Sequence, residues 1–276
     1  MNQNSSELIY DSSKRKSHPV EEFLALIRYR DLVIQLVRRD LVSRYKRSVL
    51  GVTWTMLNPL GTMLILTIVF SQVFNQSSNY PVYILTGLTV WNFFSQVSSA
   101  CMGSMVWGSS LFDHIYLPRT AFVISSVGTG VVNFFFSLVP LFLIMLLLGA
   151  PIHITILALP ISMLFLTAFT TGVGLILSTY VVYFQDIREI YPILLTAWMY
   201  LTPIIVPKDV LGKIAGGIIL KINPFYYIVD LFHQMILEGV LPTGVEILLA
   251  AVISFAMLFA GWFLFTNRAD RLAYYA

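Results

Sequence analysis

The sequence predicts an all-α integral membrane protein with six transmembrane helices and both termini in the cytoplasm. Hydrophobic residues make up 57% of the 276-residue chain and charged residues only 11%, whereas soluble domains contain roughly 25% charged residues. Apolar runs occur along the chain from residue 51 to residue 266. The positive charges are concentrated on one side of these runs, and this asymmetry sets their orientation.

The segment before the first apolar run is polar and is expected to stay in the cytoplasm. Residues 1–29 mix Ser, Asn, Lys and Glu, and we expect a flexible or loosely attached arm. Between residues 30 and 50, apolar side chains recur every four residues, at Val33, Val37, Leu41 and Tyr45. This spacing predicts an amphipathic helix that lies in the membrane interface, with its apolar stripe towards the acyl chains. A solvated basic helix is the alternative.

Six apolar segments follow, and each predicts one transmembrane helix. They cover residues 51–74, 83–107, 120–148, 154–183, 190–206 and 243–266. A helix needs about 20 residues to cross a bilayer, so the fifth segment is short. Residues 225–237, between the fifth and sixth segments, are mostly apolar but too few to span, which predicts a re-entrant or interfacial external helix. Residues 267–276 form a cytoplasmic tail.

The cations support this topology. Fourteen of the 17 Lys and Arg residues lie in segments on the same side as the N-terminus, and only Lys208, Lys213 and Lys221 lie on the other side. Since Lys and Arg are retained on the cytoplasmic side, the N-terminus, the C-terminus and the connections rich in Arg are predicted to be cytoplasmic.

The sequence contains no pattern typical of catalysis or metal binding. Apart from Glu246, no Asp, Glu, Lys or Arg lies inside the predicted spans, although ion-coupled transport usually needs such groups. The histidines are scattered, and the Gly212-Lys213 pair has Pro207 where a phosphate-binding loop needs glycine. We expect a chain that is not an enzyme, binds no metal, cofactor or nucleic acid, and leaves any ATP hydrolysis to another subunit.

Short motifs at the ends of the predicted spans resemble the membrane subunit of bacterial ABC-2 type polysaccharide exporters. They are Arg39-Asp40-Leu41, Arg44-Tyr45-Lys46, Leu50-Gly51, Trp54, Pro59, Tyr116-Leu117-Pro118-Arg119, Phe184-Gln185-Asp186-Ile187, Thr202-Pro203-Ile204 and Asn223-Pro224. The sequence departs from the family pattern at Gln185, where an Arg is expected. The resemblance implies a homodimer in the bacterial inner membrane, two ATPase subunits that hold ATP and Mg, and a lipid-linked glycan such as O-antigen, capsule or teichoic acid.

A short cytoplasmic helix is predicted between the second and third spans. Ser110 can cap it and Pro118 ends it, and its apolar face consists of Leu111, Phe112, Ile115 and Tyr116. An exposed apolar face needs a partner. The resemblance implies that this partner is the ATPase; burial against the spans of the chain itself is the alternative.

Two further sets of residues are candidates for substrate contact. Flat aromatic rings can stack on sugars without a deep binding well, and Tyr83, Trp91, Phe94, Tyr191 and Trp198 could line such a path, unless they only fill the core or the membrane interface. Arg44, Lys46, Arg47 and Arg119 could contact a pyrophosphate or lipid headgroups. Pro59 lacks a backbone N–H and crowds the carbonyl of Thr55, so it predicts a kink in the first span, with a tolerated proline as the alternative.

These observations predict the transmembrane subunit of an ATP-driven exporter of a lipid-linked, O-antigen-like polysaccharide. Two alternatives remain open. One is an ABC-2 exporter of a small lipid or drug, and the other is a membrane scaffold in envelope glycan assembly that transports nothing.

Overall fold

The structure, a computed structural model, describes residues 18–46, 51, 53–70, 79–107, 118–213 and 217–275, and within these ranges it contains helices and no β-strand. The helices are α1 (His18–Arg28), α2 (Arg30–Tyr45), α3 (Thr53–Phe70), α4 (Tyr80–Trp107), α5 (Thr120–Leu147), α6 (Leu159–Tyr183), α7 (Ile187–Tyr200), α8 (Lys208–Lys213), α9 (Ile218–Ile222), α10 (Pro224–His233) and α11 (Gly244–Tyr275). A 3-10 turn, Ile154–Ala158, leads into α6, and a π-helical turn, Gln234–Glu238, extends α10.

Four helical segments among the described residues are long and apolar enough to cross a bilayer. They are Thr53–Phe70, Thr120–Leu147, Ile154–Tyr183 and Gly244–Arg268. Helix α4 has 28 residues, a length of about 42 Å, but carries more amide and hydroxyl side chains. Helix α7 has only 14 residues. The fold is therefore that of a multi-pass membrane protein.

Helix α6 lies at the centre of the bundle and packs against α4 and α11. Its contact with α11 depends on two glycines. A Cβ atom on Gly172 would overlap the backbone carbonyl of Met257, and a Cβ on Gly261 would overlap the backbone of Gly172. The two backbones touch there, which is how small residues allow helices to associate in a membrane, where the hydrophobic effect gives little driving force.

The N-terminal segment differs from the flexible arm that the sequence suggested. Residues 18–28 form α1, which packs against the far end of α11: the Phe23 ring meets the Trp262 ring edge-on at 6.3 Å, and the Trp262 indole N–H donates to the Pro19 carbonyl at 3.3 Å. The Thr120 hydroxyl also donates to Glu22 at 2.8 Å. Residues 18–28 therefore form a helix that these contacts hold against α11 and α5, and not the flexible arm that was expected; residues 1–17 lie outside the described part.

One face of helix α2 packs against the protein, although its apolar stripe was predicted to face the acyl chains. Leu36 is buried, and Val37 packs so closely on α5 that a Cβ on Gly128 would lie 2.9 Å from its Cγ2 atom. The predicted stripe of α2 thus turns Val37 towards α5 rather than towards acyl chains. Ile34 and Val42 remain exposed.

The connection between α7 and α11 turns back into the bundle. Along α10, residues Phe225 and Ile228 to Ile236 are buried. The Phe225 ring lies 4.6 Å from the Phe94 ring, whereas the His233 ring stacks on Tyr83 at 4.3 Å. Tyr83 and Phe94 are 11 residues apart on α4, which is about 16 Å along the helix. Helix α10 therefore packs inside the bundle, and its re-entrant position in the membrane stays a prediction. Residues 224–238 are called the re-entrant segment below, after that prediction.

Candidate functional site

A partly open groove with a volume of about 870 Å³ lies between α2, α3, α4 and α5. Eleven of its 19 described lining residues are polar although the helices that form the walls are mainly apolar. The lining residues are Asp40, Ser43, Gly51, Trp54, Thr55, Asn58, Pro59, Thr89, Asn92, Phe93, Gln96, Val97, Ala100, Ser126, Thr129, Gly130, Asn133, Phe134 and Ser137.

Two helices supply most of the polar wall by the same spacing. On α4 the polar residues are Thr89, Asn92 and Gln96; on α5 they are Ser126, Thr129, Asn133 and Ser137. Steps of three and four residues keep side chains on one face of a helix. Two polar stripes therefore face each other across the groove, and α3 adds Thr55 and Asn58.

The groove offers hydrogen bonds without charge. Asn58, Asn92, Gln96 and Asn133 each carry an amide that can both donate and accept. The side-chain amides of Asn58, Asn92 and Gln96 have no hydrogen-bond partner among the described residues. A polar group in apolar surroundings is costly unless it bonds to something, so water or a polar ligand must satisfy these amides.

The charged residues lie at the α2 end of the groove. Asp40 is the one charged residue among the described lining residues, and Arg39 pairs with it at 2.9 Å. Lys46 is exposed and Arg119 is half-buried, whereas the side chain of Arg44 and all of Arg47 lie outside what the structure describes. Contact of these four cations with a pyrophosphate stays a prediction.

The five aromatic residues proposed to line a path lie elsewhere, in the core. Trp91, Phe94 and Tyr191 are buried, Tyr83 and Trp198 are half-buried, and none of the five lines the groove. Phe94 meets Trp198 at 5.2 Å, and the Tyr191 hydroxyl donates to Ser98 at 2.6 Å. Neighbouring side chains thus cover their rings in this conformation, and their contact with a glycan stays a prediction.

Two other sequence-based expectations concern Pro59 and the segment between the second and third predicted spans. Pro59 is buried inside α3, where it lines the groove, and α3 continues through it to Phe70; the kink at Pro59 stays a prediction. The segment predicted to contact an ATPase, with Leu111, Phe112, Ile115 and Tyr116, lies outside the described residues.

A polar cluster holds the Glu238 end of the re-entrant segment. The Lys208 ammonium lies 2.6 Å from Glu238 and 3.6 Å from Asp230, and the Gln234 amide donates to Asp230 at 2.8 Å and to Glu246 at 3.2 Å. Burial raises the pKa of Asp230, although Lys208 and Gln234 oppose this. Burial lowers the pKa of Lys208, but Glu238 and Asp230 outweigh it and raise that pKa.

Asn223 holds the other end of the same segment. Its side-chain oxygen accepts from the Trp198 indole at 2.8 Å and from the backbone N–H of Phe225 at 3.1 Å, so it caps α10. Its amide nitrogen donates to the Leu201 carbonyl at 3.1 Å and to the Thr202 hydroxyl at 2.9 Å. Three of these bonds join Asn223 to the end of α7, and the fourth, from Phe225, caps α10. The segment is therefore fixed by polar bonds at both ends and by aromatic packing between them.

The candidate residues predicted from the sequence were charged or aromatic and did not include the amides of the groove. A signal was present: the steps from Thr89 to Asn92 to Gln96, repeated on α5, mark a polar face on a helix that otherwise has an apolar composition. Among the described residues, no three His, Cys, Asp or Glu side chains are grouped to hold a metal ion, and the thiol of Cys101 is buried.

Comparison with known proteins places these features in context. Residues 31–237 match the family described as ABC-2 type transporter. An O-antigen export system permease protein RfbA from Myxococcus xanthus is 30% identical over 256 residues, which cover 90% of this chain and 96% of that protein. RfbA from Klebsiella pneumoniae is 26% identical, covering 76% of this chain and 82% of that protein. The polysialic acid transport protein KpsM from Escherichia coli is 24% identical, covering 86% and 93%.

Proposed function

Because the chain belongs to the ABC-2 type transporter family, we propose that it is the transmembrane subunit of an exporter that carries a lipid-linked polysaccharide to the outer face of the bacterial inner membrane. The relatives that support this are named for O-antigen export and for polysialic acid transport. ATP and Mg would be bound by an ATPase partner, and two copies of this chain would pair with two copies of that partner.

We propose six spans with both termini in the cytoplasm, and the contacts of α4 and α7 support this count. The Tyr80 hydroxyl, at the first residue of α4, donates to the Ile205 carbonyl at 3.0 Å, and the Tyr83 hydroxyl donates to the Pro203 carbonyl at 2.8 Å. The chain after α7 thus reaches the level at which α4 begins. Residues 187–206 together would cross the membrane that α7 alone is too short to cross.

The groove is the observation that favours a polysaccharide over the alternatives. Its neutral amides and hydroxyls give a hydrated surface inside a bundle of otherwise apolar helices, and such a surface suits a polymer of hydroxyl groups. Unpaired amides would weaken the binding of a small apolar drug, because the amides would lose water without gaining a hydrogen-bond partner. A scaffold without transport needs no groove.

Coupling to the ATPase is proposed for the cytoplasmic segment with Leu111, Phe112, Ile115 and Tyr116. Its apolar side chains would bind the partner, and the ATP-bound and ATP-free partner would have to bind two arrangements of this chain with different affinity in order to drive transport. The exporter would release the glycan on the side of Lys208, where the re-entrant segment closes the bundle.

Reconstitution with an ATPase tests the proposed function. The chain is co-expressed with candidate ATPases, purified as a complex and placed in proteoliposomes with lipid-linked glycan, and glycan that becomes accessible on the far side is measured with and without ATP. We expect ATP-dependent appearance of glycan, and its loss when Phe112 and Tyr116 are both replaced by Ala in an intact complex. A complex that hydrolyses ATP and moves no glycan would contradict the proposal.

A further inference from the structure

We propose that the groove binds uncharged sugar units of the exported polymer through the amides of Asn58, Asn92, Gln96 and Asn133. This inference rests on the proposed exporter function and adds a substrate class to it. The four amides come from three helices, α3, α4 and α5. A sugar unit between them would bond to the walls of one subunit.

The chemistry of the wall fits hydroxyl groups. A sugar hydroxyl donates one hydrogen bond and accepts others, and a carboxamide does both from adjacent atoms. Asn92 and Gln96 lie four residues apart on one helix face, so their amides follow each other along the groove. The polar stripe of α4 runs from Thr89 to Gln96, about 10 Å, which is longer than one sugar ring.

Aromatic rings in the same wall fit the other surface of a sugar. Phe93 and Phe134 both line the groove and meet edge-on at 5.8 Å. Each side chain is only 4% exposed, so the two rings form an apolar part of the wall beside the amides, the combination that small-molecule sites use for orientation.

The charges of the groove exclude anionic units. Among the described lining residues none is Lys or Arg, and the charged one, Asp40, is negative. At the α2 end, Arg39 is paired with Asp40, so a carboxylate or phosphate that leaves water beside the amides would find no cation among the described lining residues to offset its desolvation. The same argument excludes a phospholipid headgroup, because its phosphate would need a cation beside it.

Labelling of an introduced cysteine tests the site. The chain has one native cysteine, Cys101, which is buried. Ala100→Cys places a thiol in the groove wall without removing an amide, and Asn267→Cys places one on an exposed position of α11 as the control. The full complex in phosphatidylcholine vesicles is treated with a membrane-impermeant methanethiosulfonate. We expect both thiols to react, and maltopentaose at twice its dissociation constant to slow the reaction at position 100 by about threefold and not at position 267.

Three comparisons identify the ligand. Oligosialic acid at the same concentration should give no protection. The double variant Asn92→Leu with Gln96→Leu should lose the protection by maltopentaose while keeping the labelling. Equal protection by oligosialic acid, protection that survives in the double variant, or an unreactive thiol at position 100 would each overturn the proposal. Slower labelling in vesicles with phosphatidylglycerol and without sugar would assign the groove to a lipid headgroup and overturn it as well.

Export by the same proteoliposomes separates this proposal from the proposed function. Absence of ATP-dependent export in the unsubstituted complex would count against the exporter function. Normal export by the Asn92→Leu, Gln96→Leu variant would leave that function standing and remove the groove from the sugar path.

Discussion

Replacing Asn223 by Ala should release the re-entrant segment from the end of α7. The substitution removes four side-chain hydrogen bonds at a site that is 7% exposed. Loss of the cap of α10 costs about 1 kcal/mol. Leaving the half-buried Trp198 indole N–H without its acceptor costs about 1–3 kcal/mol more. The sum of about 2–4 kcal/mol corresponds to a roughly 30-fold to 700-fold increase in the open population of the segment.

Hydrogen–deuterium exchange of the complex in nanodiscs measures this opening. Peptides from residues 224–238 should exchange faster in Asn223→Ala by the same factor, while peptides from α6 should not change. Asn223→Asp keeps the acceptor for Trp198 and Phe225 and loses only the two donated bonds, so its effect should be smaller. Asn267→Ala, on an exposed position of α11, is the matched control. Unchanged exchange of residues 224–238 in Asn223→Ala would refute the view that this side chain holds the segment.

Two further predictions concern the packing of α6 and the protonation of His233. Gly172→Ala forces a methyl group against the Met257 carbonyl, and because a backbone atom cannot turn aside, it should destabilise the complex by about 1–3 kcal/mol and lower its melting temperature. Gly61→Ala, the control, meets open space and should leave the melting temperature unchanged. Equal melting temperatures of the two variants would contradict the contact between α6 and α11. Burial lowers the pKa of His233 from 6.5 to about 3, so only the released segment takes up a proton: stability is full above pH 6.5 and is lost as pH falls towards 3. Exchange of residues 224–238 should therefore accelerate on acidification. His233→Phe, which keeps a ring beside Tyr83, should remove the contribution of His233 to this acceleration and leave the contribution of Asp230, which both proteins share.

The apolar spans could be predicted from the sequence with good boundaries. The third segment was predicted at residues 120–148 and forms Thr120–Leu147, and the fourth was predicted at 154–183 and forms Ile154–Tyr183 with a 3-10 turn at its start. An uninterrupted apolar run has one stable form in a bilayer, a helix that satisfies its own backbone. The last helix continues beyond its predicted end at 266 to Tyr275, because no Pro or Gly follows to stop it.

Contacts between distant segments could not be predicted in the same way. Lys208 meets Asp230 and Glu238, which are 22 and 30 residues further along the chain, only because the chain turns back at Asn223. The groove amides were visible as a periodic pattern on α4 and α5, but their convergence with Asn58 depends on how α3 crosses those helices. The packing of the aromatic residues could not be predicted either: Phe94 and Trp91 are buried against Phe225, which lies more than 130 residues further along the chain.

Because few residues of α3 are buried, moving this helix should cost less free energy than separating α6 from α11. Only Pro59 and Met63 of its 18 residues are buried, whereas α6 and α11 touch backbone to backbone at Gly172 and Gly261. Buried apolar area stabilises a contact by about 25 cal/mol per Å², so tilting α3 away from α4 and α5 costs far less than parting α6 from α11. Since α3 forms one wall of the groove, such a tilt would widen the groove while the rest of the bundle keeps its shape.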